Sequence, residues 1–108
     1  MDSQYRLERI LAEYREQLRE VLGDDLDSVV LFGSQARGDA ADDSDIDVLC
    51  IMKDPFDYGE LILKTSQITG DTSLKHDVVL SRAFTTVEDY EARQTPFLMN
   101  VRREGVPV

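Results

Sequence analysis

Residues 33–47 contain the groups of this chain that are best suited to chemistry. Gly33 and Ser34 follow an apolar run, and Asp45 and Asp47 stand one residue apart at the start of a second apolar run. A glycine–serine turn with free backbone N–H groups suits phosphate oxygens. Two carboxylates at i and i+2 on a strand share a face, and such hard oxygen ligands suit magnesium, which binds one or two carboxylates together with substrate phosphates. The pattern predicts a site for a metal-bound nucleoside triphosphate.

A third carboxylate, Asp77, stands at the start of another apolar run. We predict a strand over His76–Leu80, and a charge at the entrance of a sheet core is costly unless it is paired or bound to a metal. If this strand lies beside the one that carries Asp45 and Asp47, Asp77 joins them. Three neighbouring carboxylates repel one another, and divalent cations compensate for that repulsion. The set predicts two-metal phosphoryl chemistry, in which the cations activate an attacking hydroxyl and hold the leaving pyrophosphate.

Regularly spaced apolar residues indicate the elements that position these groups. Between Ser3 and Leu22 they follow the spacing of an amphipathic helix, which Gly23 is placed to end. The other predicted elements, in chain order, are a strand over 28–32, a short helix or turn from Gly33, an acidic loop over 39–44, a strand over 45–52, a helix over 56–68, a turn at Gly70–Asp71, the strand at 76–80, a short helix near Thr86 and a last helix from Thr95–Pro96 to Gly105.

Length and composition predict one folded domain over residues 1–108. Of its residues, 42% are hydrophobic and 31% charged, as in soluble globular proteins. No apolar run approaches the roughly 18 residues of a membrane span, and the N-terminus lacks the basic and apolar regions of a signal peptide. The single cysteine, Cys50, lies inside an apolar run and cannot form an intrachain disulfide. We therefore expect a cytoplasmic protein without a membrane partner.

The formal net charge of −10 bears on the partners of the chain. Proteins that bind nucleic acid usually carry a basic patch, because counterion release drives their affinity. In this sequence the basic clusters are limited to Arg102-Arg103 and scattered positions on helix faces. We therefore expect no direct binding to a long polynucleotide, and a protein with a basic or mixed surface is the better candidate partner.

The chain resembles a known family in an extended motif. The matching residues are Gly33-Ser34, Arg37-Gly38, Ser44-Asp45-Ile46-Asp47 and Asp77. This is the signature of the DNA polymerase beta-like nucleotidyltransferase superfamily, and the chain is similar in particular to its minimal nucleotidyltransferases, the MNT antitoxins of prokaryotic HEPN/MNT toxin–antitoxin pairs. The resemblance spans essentially the whole chain. It implies an α/β (α+β) fold, with a small mixed sheet of about three to four strands and helices packed mainly on one face.

The resemblance also implies roles for the candidate residues. Gly33 and Ser34 would bind the triphosphate of ATP, Asp45 and Asp47 would hold two Mg²⁺ ions, and Asp77 would complete one metal site near the attacking hydroxyl. Similar family members transfer AMP from ATP to a tyrosine of a HEPN toxin and so neutralise its RNase activity. The implied partner is a HEPN-domain toxin in a hetero-oligomer. Arg37 stays open between a contact with phosphate and a bridge to the acidic loop.

Three classes of function fit these residues. The first is an enzyme that moves a nucleotide onto a protein hydroxyl, and the second is a non-catalytic antitoxin that inhibits its toxin by binding. The third is a nucleotidyltransferase for a small molecule such as an antibiotic. The presence of all three carboxylates favours the first class over the second. The short chain offers no separate domain to bind a small acceptor, which disfavours the third.

Overall fold

Residues 3–38 and 45–108 are the part of the chain that this computed structural model describes. The predicted acidic loop over 39–44 lies outside the described residues. Within those ranges, no helix combines the length and the apolar character that crossing a membrane requires. The helices and strands are α1 (Ser3–Leu22), β1 (Leu26–Phe32), α2 (Ser34–Arg37), β2 (Ile46–Met52), α3 (Tyr58–His76), β3 (Leu80–Thr86), α4 (Val87–Ala92), α5 (Pro96–Glu104) and β4 (Val106–Pro107).

The strands form one mixed sheet in the order β3-β2-β1-β4. β1 pairs with β2 antiparallel, with Phe32 opposite Asp47, and also pairs antiparallel with the two-residue strand β4. β2 and β3 are parallel, with Ile46 opposite Leu80. Parallel neighbours need a long crossover, which α3 supplies. The small mixed α/β sheet that we expected is confirmed, with β4 as a strand that the sequence did not reveal.

Alternate residues of the central strand β2 point to opposite faces of the sheet and join two apolar clusters. The larger cluster lies under the two long helices, α1 and α3, and includes Ile10, Leu18, Leu26, Val48 and Cys50. The smaller one lies under α5 on the other face and consists of Val30, Leu49, Ile51, Leu98 and Val101. Cys50 is completely buried, and this burial raises the pKa of its thiol to about 12.

Helix α3 is longer than we predicted. The expected end at residue 68 and the turn at Gly70–Asp71 are wrong, because the helix continues to His76. Its threonines are buried against α1, where the Tyr14 hydroxyl shares a 2.7 Å hydrogen bond with Thr69 Oγ1 and Thr72 Oγ1 donates a 2.6 Å bond to Gln17 Oε1. These tertiary contacts outweigh the low helix propensity of threonine and of Gly70.

The third strand lies further along the chain than we predicted. Instead of His76–Leu80 it covers Leu80–Thr86, because His76 still belongs to α3, where its Nε2 contacts a carboxylate oxygen of Glu13. The strand was not predicted over these residues because the charged Arg82 interrupts the apolar pattern. Its guanidinium is satisfied by α3, donating 2.7 Å and 2.8 Å hydrogen bonds to Thr65 Oγ1 and to the carbonyl oxygen of Ile62.

The two C-terminal helices begin where the sequence indicated. Thr86 caps α4 and accepts a 3.1 Å hydrogen bond from the backbone N–H of Asp89. Thr95 caps α5 through a 3.2 Å bond from the N–H of Leu98, and Pro96 occupies the first position of that helix. Pro is suited to this position because its missing N–H has no helical partner there. α5 packs on the second face of the sheet through Leu98 and Val101.

Candidate active site

The turn after β1 lies directly against the first strand residues of β2. Gly33 adopts φ +78° and ψ −159°, a conformation essentially restricted to glycine. A Cβ atom at this position would lie 2.6 Å from Oδ2 of Asp47, which is closer than carbon and oxygen can approach. The backbone angles therefore favour glycine at this position, and any larger residue would also have to displace the end of the Asp47 side chain. The fold thus brings the expected phosphate turn and the acidic pair into contact.

Helix α2 follows this turn as a single helical turn. The carbonyl oxygen of Gly33 accepts hydrogen bonds from the N–H groups of Ala36 at 3.1 Å and of Arg37 at 3.2 Å, which fixes the direction of the chain. Gly38 ends the helix in the left-handed conformation with φ +79°. Ser34, the first residue of α2, is half-buried beside the turn. The short helix therefore holds Ser34 and Arg37 at the same edge of the sheet as the acidic pair.

Asp45 directly precedes β2 and Asp47 is its second residue, so that the two, as alternate residues, lie on the same side of the chain. Asp45 is exposed and Asp47 half-buried. Burial, and to a smaller extent the negative charge of Asp45, raise the pKa of the Asp47 carboxyl. Across the described residues, no basic side chain forms an ion pair with either carboxylate. Two adjacent hard oxygen donors without a protein cation fit a divalent metal such as Mg²⁺.

Asp77 lies apart from this pair. β3 does pair beside β2, as expected, but Asp77 precedes the strand and caps α3 in the left-handed conformation, with φ 54°. The carbonyl oxygen of Val79 accepts a 2.9 Å hydrogen bond from the N–H of Ile46. Because Ile46 lies opposite Leu80, the residue beside Asp45 is Val79, and Asp77 comes two residues before it in the chain. In the described ranges, no three potential metal ligands form a cluster. The structure brings together Gly33, Asp45 and Asp47, while Asp77 is exposed at the end of α3 and lies outside this group.

Helix α5 contributes residues that the sequence did not point to. The ring of Phe97 packs edge-on against Phe32 with centroids 5.3 Å apart, and Glu104 Oε2 lies 3.5 Å from Arg37 Nη1. An open groove of about 180 Å³ is lined by Phe32, Gly33, Arg37, Phe97, Asn100, Val101 and Glu104. The spacing of the α5 residues indicates one helix face. The sequence alone does not tell which face of the sheet α5 covers.

The contact between Gly33 and Asp47 gives a direct prediction for stability. We expect Gly33→Ala to lower the free energy of unfolding by about 1–3 kcal/mol, because the new methyl group meets the Asp47 carboxylate in a strained backbone conformation. Gly38→Ala is the control for a positive φ, since Gly38 has φ +79° and no atom of the described residues lies within 4 Å of its Cβ position. Urea unfolding of both variants measures the difference. Equal losses would contradict the close contact at Gly33.

Known proteins resemble this chain in sequence and in fold. Residues 11–101 match the nucleotidyltransferase domain family. The chain is 35% identical over 99 residues, 92% of this chain and 95% of the relative, to the Methanocaldococcus jannaschii protein named "Putative protein adenylyltransferase MJ0141". A "putative nucleotidyltransferase" from Sulfolobus solfataricus shares the fold, with a TM-score of 0.70 at 22% identity, over 97% of this chain and 81% of that protein. A chain of a toxin–antitoxin crystal structure with AMP-PNP also shares it, with a TM-score of 0.60 at 18% identity, over 88% of this chain and 69% of that one.

Proposed function

This chain belongs to the nucleotidyltransferase domain family and is a nucleotidyltransferase, and from that premise we propose that it transfers AMP from ATP to a tyrosine hydroxyl of a partner protein. The proposed partner is a HEPN-domain RNase toxin, which this chain, as a single domain over 1–108, neutralises in a hetero-oligomer. The name of the M. jannaschii relative supports a protein acceptor. The toxin–antitoxin complex with AMP-PNP supports a toxin partner and an adenine nucleotide.

The contact between Gly33 and the Asp47 carboxylate carries the proposal. It places the backbone turn that suits phosphate oxygens directly beside two carboxylates that suit Mg²⁺. A metal-bound triphosphate needs these two features side by side. The raised pKa of Asp47 adds to this support, because a carboxyl whose ionised form is destabilised by burial and by Asp45 gains when a cation binds it.

The residues of the site divide the proposed chemistry among them. Gly33 and Ser34 bind the triphosphate through backbone N–H groups and the serine hydroxyl. Asp45 and Asp47 would hold two Mg²⁺ ions, and Asp77, which lies apart from them at the end of α3, would complete the coordination near the acceptor hydroxyl. When bound, Mg²⁺ supplies charge neutralisation for the attacking and leaving oxygens. The half-buried position of Asp47 limits access of water to the carboxylate and so strengthens its interaction with a cation.

The transfer replaces one bond at phosphorus by another. The tyrosine oxygen of the partner attacks the α-phosphorus of ATP, a new P–O bond forms, and the bond between the α-phosphorus and the bridging oxygen to the β-phosphate breaks. Pyrophosphate leaves, and the phenolic proton passes to a carboxylate oxygen of Asp77 and then to water. Asp77 thus orients the hydroxyl and accepts its proton. In this proposal the partner supplies the acceptor hydroxyl.

Arg37 is proposed as a nucleotide-binding residue held in place by Glu104. Its guanidinium lines the groove beside Gly33, and Glu104 Oε2 lies 3.5 Å from Nη1. A planar guanidinium matches the geometry of phosphate oxygens. The alternative role that we considered, a bridge to the acidic loop at 39–44, falls on residues outside those described.

Intact-mass spectrometry of the partner tests the proposal. A purified HEPN-domain protein, as the candidate partner, is incubated with this chain, ATP and Mg²⁺, and we expect it to gain the mass of one or more AMP units on a tyrosine. The partner should stay inactive as an RNase after this chain is removed. Omitting either ATP or Mg²⁺ should leave its mass unchanged.

Calorimetric titration of this chain alone with AMP-PNP and Mg²⁺ separates two ways in which the proposal could fail. Nucleotide binding together with an inhibited but unmodified partner would contradict the transfer to tyrosine and leave inhibition by binding. Absence of nucleotide binding would contradict the triphosphate site itself.

A further inference from the structure

The outward face of α3 differs in composition from the rest of the surface. Leu63 and Leu74 are 78% and 83% exposed there. The exposed residues along this face carry no formal charge: Gly59, Leu63, Ser66, Gln67, Gly70 and Leu74. By contrast, the exposed positions of the neighbouring helix α1 include Arg6, Glu8, Arg9, Glu16 and Glu20. An uncharged face with two largely exposed leucines, on a chain of which 31% of the residues are charged, is a candidate interaction surface.

The orientation of this face is fixed by the buried side of the helix. Leu61, Thr65 and Thr72 point into the core. At 100° per residue, Leu63 and Leu74 fall about 20° apart on the opposite side and about 16 Å apart along the axis. Within the described ranges, no side chain covers them. The two leucines therefore form the ends of one outward stripe over three helical turns.

A row of charged residues flanks this stripe on one side. It consists of Glu60, Lys64, Asp71 and Lys75, and its formal charge sums to zero. Within one chain, Lys64 Nζ lies 3.6 Å from Glu60 Oε1, and Lys75 contacts Glu13. Asp71 forms no ion pair among residues 3–38 and 45–108. The row therefore contains an acid that is available to a cation from another chain.

We propose that the outward face of α3 binds the same face of a second copy of this chain, with the two helices antiparallel and a two-fold axis between residues 68 and 69. Two-fold symmetry requires that the same patch complement itself. Leu63 and Leu74 are equally far from this axis, so Leu63 of each chain packs against Leu74 of the second copy. The uncharged residues between them form the rest of the contact.

The flanking charges are complementary in the same register. A two-fold axis across the interface brings the charged row of one copy beside the same row of the other. Along the seam, the order becomes Glu60, Lys75 of the second copy, Lys64, and Asp71 of the second copy, each about 3 Å further along the axis. Each lysine then has an acid next to it, and Asp71 gains a lysine. This self-complementarity favours a second copy over an unrelated helix, for which no such match is required.

The expected affinity is modest. α3 has 19 residues and is about 28 Å long, so a contact between two such helices falls below the roughly 1,200 Å² of a standard stable interface. Two chains of net charge −10 also repel each other at long range. We therefore expect a dimer with a dissociation constant in the micromolar range. The dimer does not depend on the proposed transfer reaction.

Sedimentation equilibrium of the full chain tests the surface. The wild-type protein should show concentration-dependent dimerisation, and Leu63→Glu and Leu74→Glu should each raise the dissociation constant by at least about tenfold, because each places two carboxylates against apolar surface. Val21→Glu, an equal charge change on the exposed part of α1, is the control and should leave dimerisation unchanged. A wild-type chain that is monomeric throughout, or a dimer that survives both leucine variants, would overturn the proposal.

A charge exchange tests the register. Asp71→Lys should weaken the dimer several-fold, because three lysines then adjoin one another along the seam. Adding Lys64→Glu to that variant makes the acids and lysines alternate and should restore dimerisation. Lys64→Glu alone should change dimerisation little, since the attraction between Lys64 and Asp71 of the second copy is replaced by one between the new glutamate and Lys75 of the second copy. Failure of the double variant to recover would refute the antiparallel register, even if the leucines prove to be in contact.

Discussion

Asp45→Asn and Asp47→Asn should each reduce nucleotidyl transfer by at least about 10²–10³-fold. Each change removes a negative oxygen ligand that is proposed to hold Mg²⁺, while the shape of the side chain is kept. The stability of the folded protein should not decrease. Burial and the Asp45 charge raise the pKa of Asp47, so its ionised form is disfavoured in the folded state. At neutral pH, Asp47→Asn should therefore leave the free energy of unfolding unchanged or raise it by at most about 0.5 kcal/mol.

Pyrophosphate release with the proposed HEPN partner measures the loss of transfer, and urea unfolding of the metal-free chain measures stability. Because a raised pKa in the folded state favours the protonated form, any stability gain of Asp47→Asn should shrink as the pH falls through that pKa. Asp24→Asn, at an exposed position away from the site, is the control and should keep full activity. Full turnover in either site variant would show that these carboxylates do not hold the catalytic metals.

Substitutions of Asp77 should strongly reduce the modification of the partner and leave the complex with it intact. Asp77 has φ 54°, a conformation that both Asn and Gly adopt readily. Asp77→Asn and Asp77→Gly should therefore keep the end of α3 folded, and Gly should stabilise it slightly. Both remove the carboxylate that is proposed to orient the acceptor hydroxyl. We expect transfer to fall by about 10²-fold or more in both variants.

The pair of variants separates a chemical role of Asp77 from a structural one. If Asp77 only ends α3, Asp77→Gly should be fully active, since glycine is the preferred residue for that conformation. Intact-mass spectrometry of the partner measures the modification, and co-purification measures the complex. A fully active Asp77→Gly variant would remove Asp77 from the proposed site. An inactive variant that no longer binds the partner would instead place Asp77 in the interface.

Local signals predicted most of the elements correctly. Apolar spacing gave α1 with its bounds, and Thr95–Pro96 gave the start of α5. The errors arose where contacts between distant residues decide the structure. α3 passes through Gly70 because its threonines are hydrogen-bonded to α1, and β3 tolerates Arg82 because α3 satisfies the guanidinium. A sequence pattern indicates the structural preference of a segment by itself, and in α3 and β3 the contacts with other helices outweigh that preference.

In the candidate site, too, the local motif predicted some residues correctly, and the positions of others depend on contacts between distant parts of the chain. The motif predicted that Gly33, Asp45 and Asp47 belong together, and the antiparallel pairing of β1 with β2 brings them into contact. Asp77 was expected on a strand, and its place at the end of α3 depends on where that helix stops. The α5 residues Phe97 and Glu104 carry no motif. Their position beside Gly33 follows from which face of the sheet α5 covers, and the sequence does not encode that locally.

The reactivity of the buried Cys50 thiol can be used to measure how often the core of this protein opens. Cys50 lies in the central strand with no exposed surface, and burial raises the pKa of its thiol to about 12. A thiol reagent attacks the thiolate, which is scarce at this site, and reaches the sulfur only when the sheet separates from its helices. The rate of labelling therefore measures how often the core opens. Because it is the single cysteine of the chain, that rate is read without interference from any other thiol of the chain.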